Sequence, residues 1–142
     1  MTGWRLWMKN NGMHVSWMLA LVATLGSLYF SEIMNFLPCK LCWYQRILMY
    51  PLVVILGIAS VRKDYKLTIY VLPLTIWGAC ISIYHVLLQE GVFHEAATAC
   101  GPVPCDVDYL NWLGFITIPM LAGTAFILIT IVQWMTWRAT RV

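Results

Sequence analysis

The sequence predicts an all-α membrane protein: a four-transmembrane-helix bundle with cytoplasmic N and C termini and two extracytoplasmic loops, each carrying a cysteine pair. Three observations carry this prediction. The first is composition. The 142 residues are 61% hydrophobic and only 11% charged, with a mean hydropathy of +0.75, whereas a soluble domain is typically about 25% charged. A chain this short cannot hide so much apolar surface from water. The second is the presence of four apolar stretches. The third is the one-sided placement of the basic residues.

The stretches justify the helices in order. Residues 15–31 carry no charge until Glu32, residues 47–61 are uncharged and their apolar character reaches back past Arg46 to Leu41, and residues 67–89 and 109–137 are uncharged throughout. A spanning helix needs about 20 residues. The third and fourth stretches meet this directly, and the first two meet it with Glu32 and Arg46 at the outer interface. The expected helices are therefore approximately 14–36, 41–61, 67–89 and 110–136, within a single integral membrane domain covering 1–142. Pro51, Pro73 and Pro119 fall inside these runs, where a bundle tolerates them as kinks. The basic start followed by an apolar run also fits a signal peptide, but the run is long and no small-x-small cleavage site follows it. The first segment is expected to be retained.

Orientation follows from lysine and arginine. Arg5, Lys9, Arg62, Lys63, Lys66, Arg138 and Arg141 fall on one side, and only Lys40 and Arg46 on the other. The loop at 90–109 has no basic residue and holds Glu90, Glu95, Asp106 and Asp108. The expected location is the cell membrane, with multiple passes. The net charge of +3 gives no argument for nucleic acid.

The cysteines carry the chemistry. Cys39 and Cys42 lie in "LPCKLCWYQR" at the start of the second helix; Cys100 and Cys105 lie in "CGPVPC" in the second outer loop; Cys80 stands by itself in the third helix. Both pairs fall on the non-cytoplasmic face, where disulfides persist. Positions i and i+3 in a first helical turn bring Cα atoms within the roughly 4.4–6.8 Å that a disulfide tolerates. A helix N-terminus and nearby cations favour a thiolate, and Arg46 lies four residues after Cys42 on the same helix face. These features suit a redox-active pair. A static staple and half of a zinc site are the alternatives, although a second pair spaced C-x4-C does not match zinc ligation, and no metal centre is expected. Gly101, Pro102 and Pro104 make a stiff turn between the outer cysteines, suited either to exchange with another protein's thiolate or to an ordinary loop staple. Cys80 reads as a small buried apolar residue.

Two same-side pairs, one at the lipid boundary and one in a loop, can form a relay. The outer pair meets a protein partner, and the inner pair meets a lipid-soluble two-electron acceptor, for which a quinone is the fitting class. Arg46 either polarises such an acceptor or snorkels to the headgroups. His85, about three turns into the third membrane run from its outer end at Gln89, or fewer if the helix projects, is a functional candidate or a histidine satisfied within the bundle. Glu32 reads as interfacial, and a proton-handling role is open to it. A non-enzymatic four-helix membrane subunit with two structural disulfides is the rival reading of the whole chain.

"PCKLCWYQR", the second outer pair and the following "NWLGFITIP" resemble the DsbB family of quinone-linked disulfide-forming membrane proteins. "GSLYFSEI" and "CWYQRILMYPLVVILGIAS" resemble its BdbC-type members from Gram-positive bacteria. The likeness runs from the first helix to the fourth. It implies a membrane thiol-disulfide oxidoreductase, a protein dithiol:quinone oxidoreductase. By the resemblance, Cys39 and Cys42 are the quinone-proximal pair, and Arg46 and His85 lie at the quinone, a menaquinone in Gram-positive members. Cys100 and Cys105 reoxidise an extracytoplasmic thioredoxin-like thiol-disulfide oxidoreductase, supporting disulfide formation in secreted proteins. The close-set outer pair departs from the enterobacterial pattern, in which a long loop separates those cysteines.

Overall fold

A computed structural model of the chain describes residues 3–35, 40–90 and 118–141. Four helices dominate it, each long and apolar enough to cross a membrane. Helix α1 covers Gly3–Leu28 and runs directly into a π-helical turn, Tyr29–Ile33. Helix α2 covers Lys40–Arg62, α3 covers Thr68–Gln89 and α4 covers Ile118–Arg141. Cys39, Cys100 and Cys105, the outer loop and positions 110–117 of the expected fourth helix lie outside the described residues.

Two helix ends differ from expectation. Helix α1 begins at Gly3 rather than near residue 14, and α4 continues to Arg141 rather than stopping near 136. Hydropathy marks only the part of a helix that lipid covers. The polar extension of α1 contains good helix formers such as Arg5, Leu6, Met8 and Lys9, and it packs as well. Met8 is buried, and Arg5 Nη2 donates to the Arg138 carbonyl at 3.4 Å. The continuous rod Gly3–Ile33 has 31 residues, or about 46 Å, against about 30 Å of hydrocarbon. Its basic first turns therefore extend beyond the lipid core or tilt within it.

The connections explain where helices stop. After the π turn, the Met34 N–H donates to the Tyr29 carbonyl at 3.2 Å. Asn35 then takes a left-handed φ of 55°, a conformation that asparagine tolerates better than most residues. Lys63 closes α2 in the same way, with φ 54°, and the Asp64 N–H donates back to the Ala59 carbonyl at 3.1 Å, the Schellman pattern. The Asp64 carboxylate then accepts the Lys66 N–H at 3.1 Å. This caps the short 3-10 turn Tyr65–Leu67 that leads into α3. Pro119 sits in the first turn of α4, where a missing N–H costs nothing. Pro51 and Pro73 lie within α2 and α3 and face outward.

The side-chain neighbours define the topology. Ser27 meets Arg46 while Trp17 lies against Gly57, so α1 and α2 run antiparallel. Gln45 meets His85 across α2 and α3, where the short connection makes the pair antiparallel. Gly78 with Phe126 and Ser82 with Gly123 run α3 and α4 antiparallel. Gly12 with Thr136 and Met13 with Gln133 close the ring between α1 and α4. The result is an up-down four-helix bundle in which sequence neighbours are spatial neighbours. Met13, Ala20, Leu52, Leu56, Val71, Phe126 and Ile129 form its core. In lipid, helices associate through close packing rather than expulsion of water, so small residues mark the tightest contacts. A Cβ added at Gly78 would overlap the Phe126 ring, and one at Gly123 would stand 3.1 Å from Ser82 Cβ.

Large apolar side chains, among them Val22, Val54, Val61, Trp77 and Ile131, cover the outside, as a bilayer requires. This is a multi-pass membrane architecture. The antiparallel arrangement gathers Arg5, Lys9, Arg62, Lys63, Lys66, Arg138 and Arg141 at one end and leaves Lys40 and Arg46 at the other.

Two readings of α3 need correction. Cys80 is exposed, not buried. The inward stripe runs through Val71, Thr75, Gly78, Ser82 and His85, and Cys80 falls off it toward lipid. His85 is not three turns deep. Helix α3 ends at Gln89, so His85 stands about one turn from that end.

Candidate functional site

The non-basic end of the bundle collects the polar side chains that sequence reasoning singled out. Helix α2 starts at Lys40, which puts Cys42 in its first turn, half-buried. A helix N-terminus and its dipole favour negative charge on a sulfur placed there. Gln45 and Arg46 follow one turn later. The two part ways: Gln45 turns into the bundle and Arg46 turns toward α1.

Gln45 is 5% exposed and His85 2% exposed, and Gln45 Nε2 lies 3.5 Å from His85 Nδ1. A buried amide and a buried imidazole in an apolar bundle are costly unless partnered, so this pair fixes how α2 and α3 face each other. The amide N–H donates when Nδ1 carries no proton, which places the ring proton on Nε2.

Arg46 is half-buried and held by α1. Its Nε donates to Ser27 Oγ at 3.0 Å, and its Nη2 donates to the Ser27 carbonyl at 3.2 Å and to Ser31 Oγ. The guanidinium also lies over the Trp43 ring, 5.6 Å from its centroid, within cation–π range. Nη1 has no hydrogen-bond partner among the described residues. Ser27 and Ser31 are four apart on one face of the first rod, and Ser31 belongs to the π turn, a feature often found at functional sites. Glu32, in the same turn, is exposed. The arrangement is a cation braced between two helices, one turn from the Cys42 sulfur, with a buried histidine across the bundle.

Cys42, Arg46 and His85 thus lie at one end of the bundle, within the first turns of α2 and the last turns of α3. Cys39, Cys100 and Cys105 lie outside the described residues. Three residues at this end had escaped notice. Gln45 is a lone amide in an apolar run, spaced three from Cys42, and that spacing was a usable signal. Ser27 and Ser31 are small hydroxyls at i, i+4 in an apolar helix, a weaker one.

Comparison with known proteins gives a consistent result. The family model described as disulfide bond formation protein DsbB matches residues 10–137. The chain is 57% identical over 117 residues to the probable disulfide formation protein C 1 of Bacillus anthracis, covering 82% of this chain and 84% of that one. It is 58% identical over 120 residues to the disulfide bond formation protein C of Bacillus subtilis (strain 168), covering 84% and 87%. It is 48% identical over 124 residues to a probable disulfide formation protein of Oceanobacillus iheyensis, covering 86% of each. No solved structure matches the chain.

Proposed function

The chain belongs to the DsbB family of disulfide bond formation proteins, and on that premise we propose that it is a quinone-linked thiol oxidase. In this reading, it reoxidises an extracytoplasmic thioredoxin-like oxidoreductase and so supports disulfide formation in secreted proteins. The quinone is a menaquinone, as the resemblance to the BdbC type implies, and both termini face the cytoplasm in keeping with the seven basic residues at their end of the bundle. The observation that supports this most is the grouping at one membrane end: Cys42 in the first turn of α2, Arg46 one turn later and His85 buried opposite.

The residues fit a quinone. A ring carrying two carbonyl oxygens needs an apolar surround with hydrogen-bond donors; half-buried Arg46 supplies Nη1 at this end of the bundle, and the buried His85 ring lies behind it against Gln45. When bound, the quinone supplies the two-electron acceptor. The chain's own residues do the rest. The partner's dithiol attacks the Cys100–Cys105 disulfide, a mixed disulfide forms, and the partner leaves oxidised. The Cys100 and Cys105 thiols then reduce the Cys39–Cys42 disulfide and become a disulfide again, so each transfer breaks one S–S bond and forms another. The N-terminus of α2 and the Arg46 cation stabilise a thiolate at the inner pair. Arg46 also stabilises negative charge developing on an acceptor oxygen, and His85 holds a proton within the bundle.

The test is reconstitution. Purified protein in nanodiscs, with menaquinone and a reduced thioredoxin-like protein, should form one quinol per dithiol oxidised. The Cys42→Ser variant should form none while keeping its helicity. Absence of quinol from the native chain, with both pairs oxidised at the start, would refute the proposal.

A further inference from the structure

Away from the thiols, the outer surface of α3 and α4 carries a groove of about 430 Å³ at the basic end of the bundle. Its floor and walls include Ile69, Pro73, Ile76, Ile131, Trp134 and Trp137. Ile69 is at the start of α3 and Trp137 is one turn from the end of α4, so the groove runs inward from the headgroup level. Its lining is apolar almost throughout, which suits a hydrocarbon chain and not a polar ligand.

The mouth has the opposite character. The Arg138 guanidinium lies over the Trp134 ring at 5.7 Å, and that of Arg141 over the Trp137 ring at 4.5 Å. The two rings are themselves in contact, tilted at 41° with centroids 5.3 Å apart. Both arginines are exposed, yet both are held against rings that line the groove. Lys66 stands in the turn that precedes Ile69. Among the described residues no carboxylate pairs with Arg138 or Arg141; the Asp64 carboxylate caps the Lys66 amide. Cations held above an apolar groove, with no carboxylate paired to them among the described residues, suit a ligand with one anionic head and a long apolar tail.

We propose that this groove is a binding site for one anionic phospholipid. Its acyl chain lies along the α3–α4 groove, and its phosphate rests between Arg138 and Arg141. The site stands on charge and shape at the far end from the thiols and does not depend on the redox reading.

Native mass spectrometry of the purified full chain tests it, using phosphatidylglycerol and phosphatidylcholine with identical chains. The native protein should retain one phosphatidylglycerol with a preference of about tenfold or more over phosphatidylcholine, as two surface cations imply. The Arg138→Gln/Arg141→Gln double variant should bind both lipids equally. Ile76→Trp, a lipid-facing change that fills the groove, should lose the retained lipid with both arginines intact. Circular dichroism checks that each variant is folded. Equal retention of the two lipids by the native chain would overturn the proposal. So would an undiminished preference in the double variant, or displacement of phosphatidylglycerol by a neutral isoprenoid quinone with no dependence on the arginines.

Discussion

Removing the hydroxyls of Ser27 and Ser31 should loosen the cation that the proposed chemistry needs, without touching that cation. Arg46 makes two hydrogen bonds to these hydroxyls and one to the Ser27 carbonyl. Interhelical hydrogen bonds in membrane proteins average about 0.6 kcal/mol, with a maximum near 1.7. The Ser27→Ala/Ser31→Ala variant should therefore lose about 1 kcal/mol, and at most about 3 kcal/mol, because a half-buried charge is left short of acceptors. Arg46→Gln should cost a similar amount. The informative quantity is their coupling: with all three changes together, the loss should scarcely exceed that of Arg46→Gln, leaving about 1 kcal/mol of interaction. Reversible unfolding in mixed dodecyl sulfate and maltoside micelles, followed by helicity, measures each corner of the cycle. Quinol formation by the serine variant should fall several-fold, since the guanidinium can then leave its place over Trp43. Fully additive losses would show that Arg46 is not braced by α1, and the geometry built on it would fail.

Other outcomes follow from the same contacts. Gln45→Leu should slow quinol formation and shift the ¹⁵N signals of His85, with stability lowered by about 0.6 kcal/mol; unchanged signals would remove Gln45 from the site. Gly78→Val should drive α3 and α4 apart at Phe126 and lower stability by about 1–3 kcal/mol, as overpacking does, read by the same micelle titration. Cys80→Ala should leave both stability and turnover within error, because that thiol points to lipid; a loss of turnover would give Cys80 a part in the relay.

The spans were legible because lipid imposes a simple demand: about 20 apolar residues with every backbone group satisfied within the helix. The first rod was read short because its opening turns, through Arg5 and Lys9, are polar. Their place against α4 is set by packing at Gly12 and Thr136, which no hydropathy window sees. Cys80 was misread for a related reason. In a membrane helix both faces are apolar, so period alone does not tell the core face from the lipid face, and only the stripe of small and polar residues, Thr75, Gly78 and Ser82, does. At the site, the sequence pointed to Arg46 through its spacing from Cys42 and to His85 through its rarity in an apolar run. It was silent on their partners. Ser27 and Ser31 are brought to Arg46 by the antiparallel return of α2, a contact across 15 to 19 residues of chain. Gln45 meets His85 across 40.

The most direct test of the proposed electron path is the redox state of Cys39, Cys42, Cys100 and Cys105 as the quinone pool is switched. Membranes carrying the native chain can be stripped of quinone, supplied with a reduced thioredoxin-like protein, quenched in acid, and alkylated for mass analysis of the peptides bearing Cys39, Cys42, Cys100 and Cys105. All four should be trapped as thiols, and readdition of menaquinone should return both pairs to disulfides. Disulfides that stay closed through the whole cycle would mark them as staples and contradict the account.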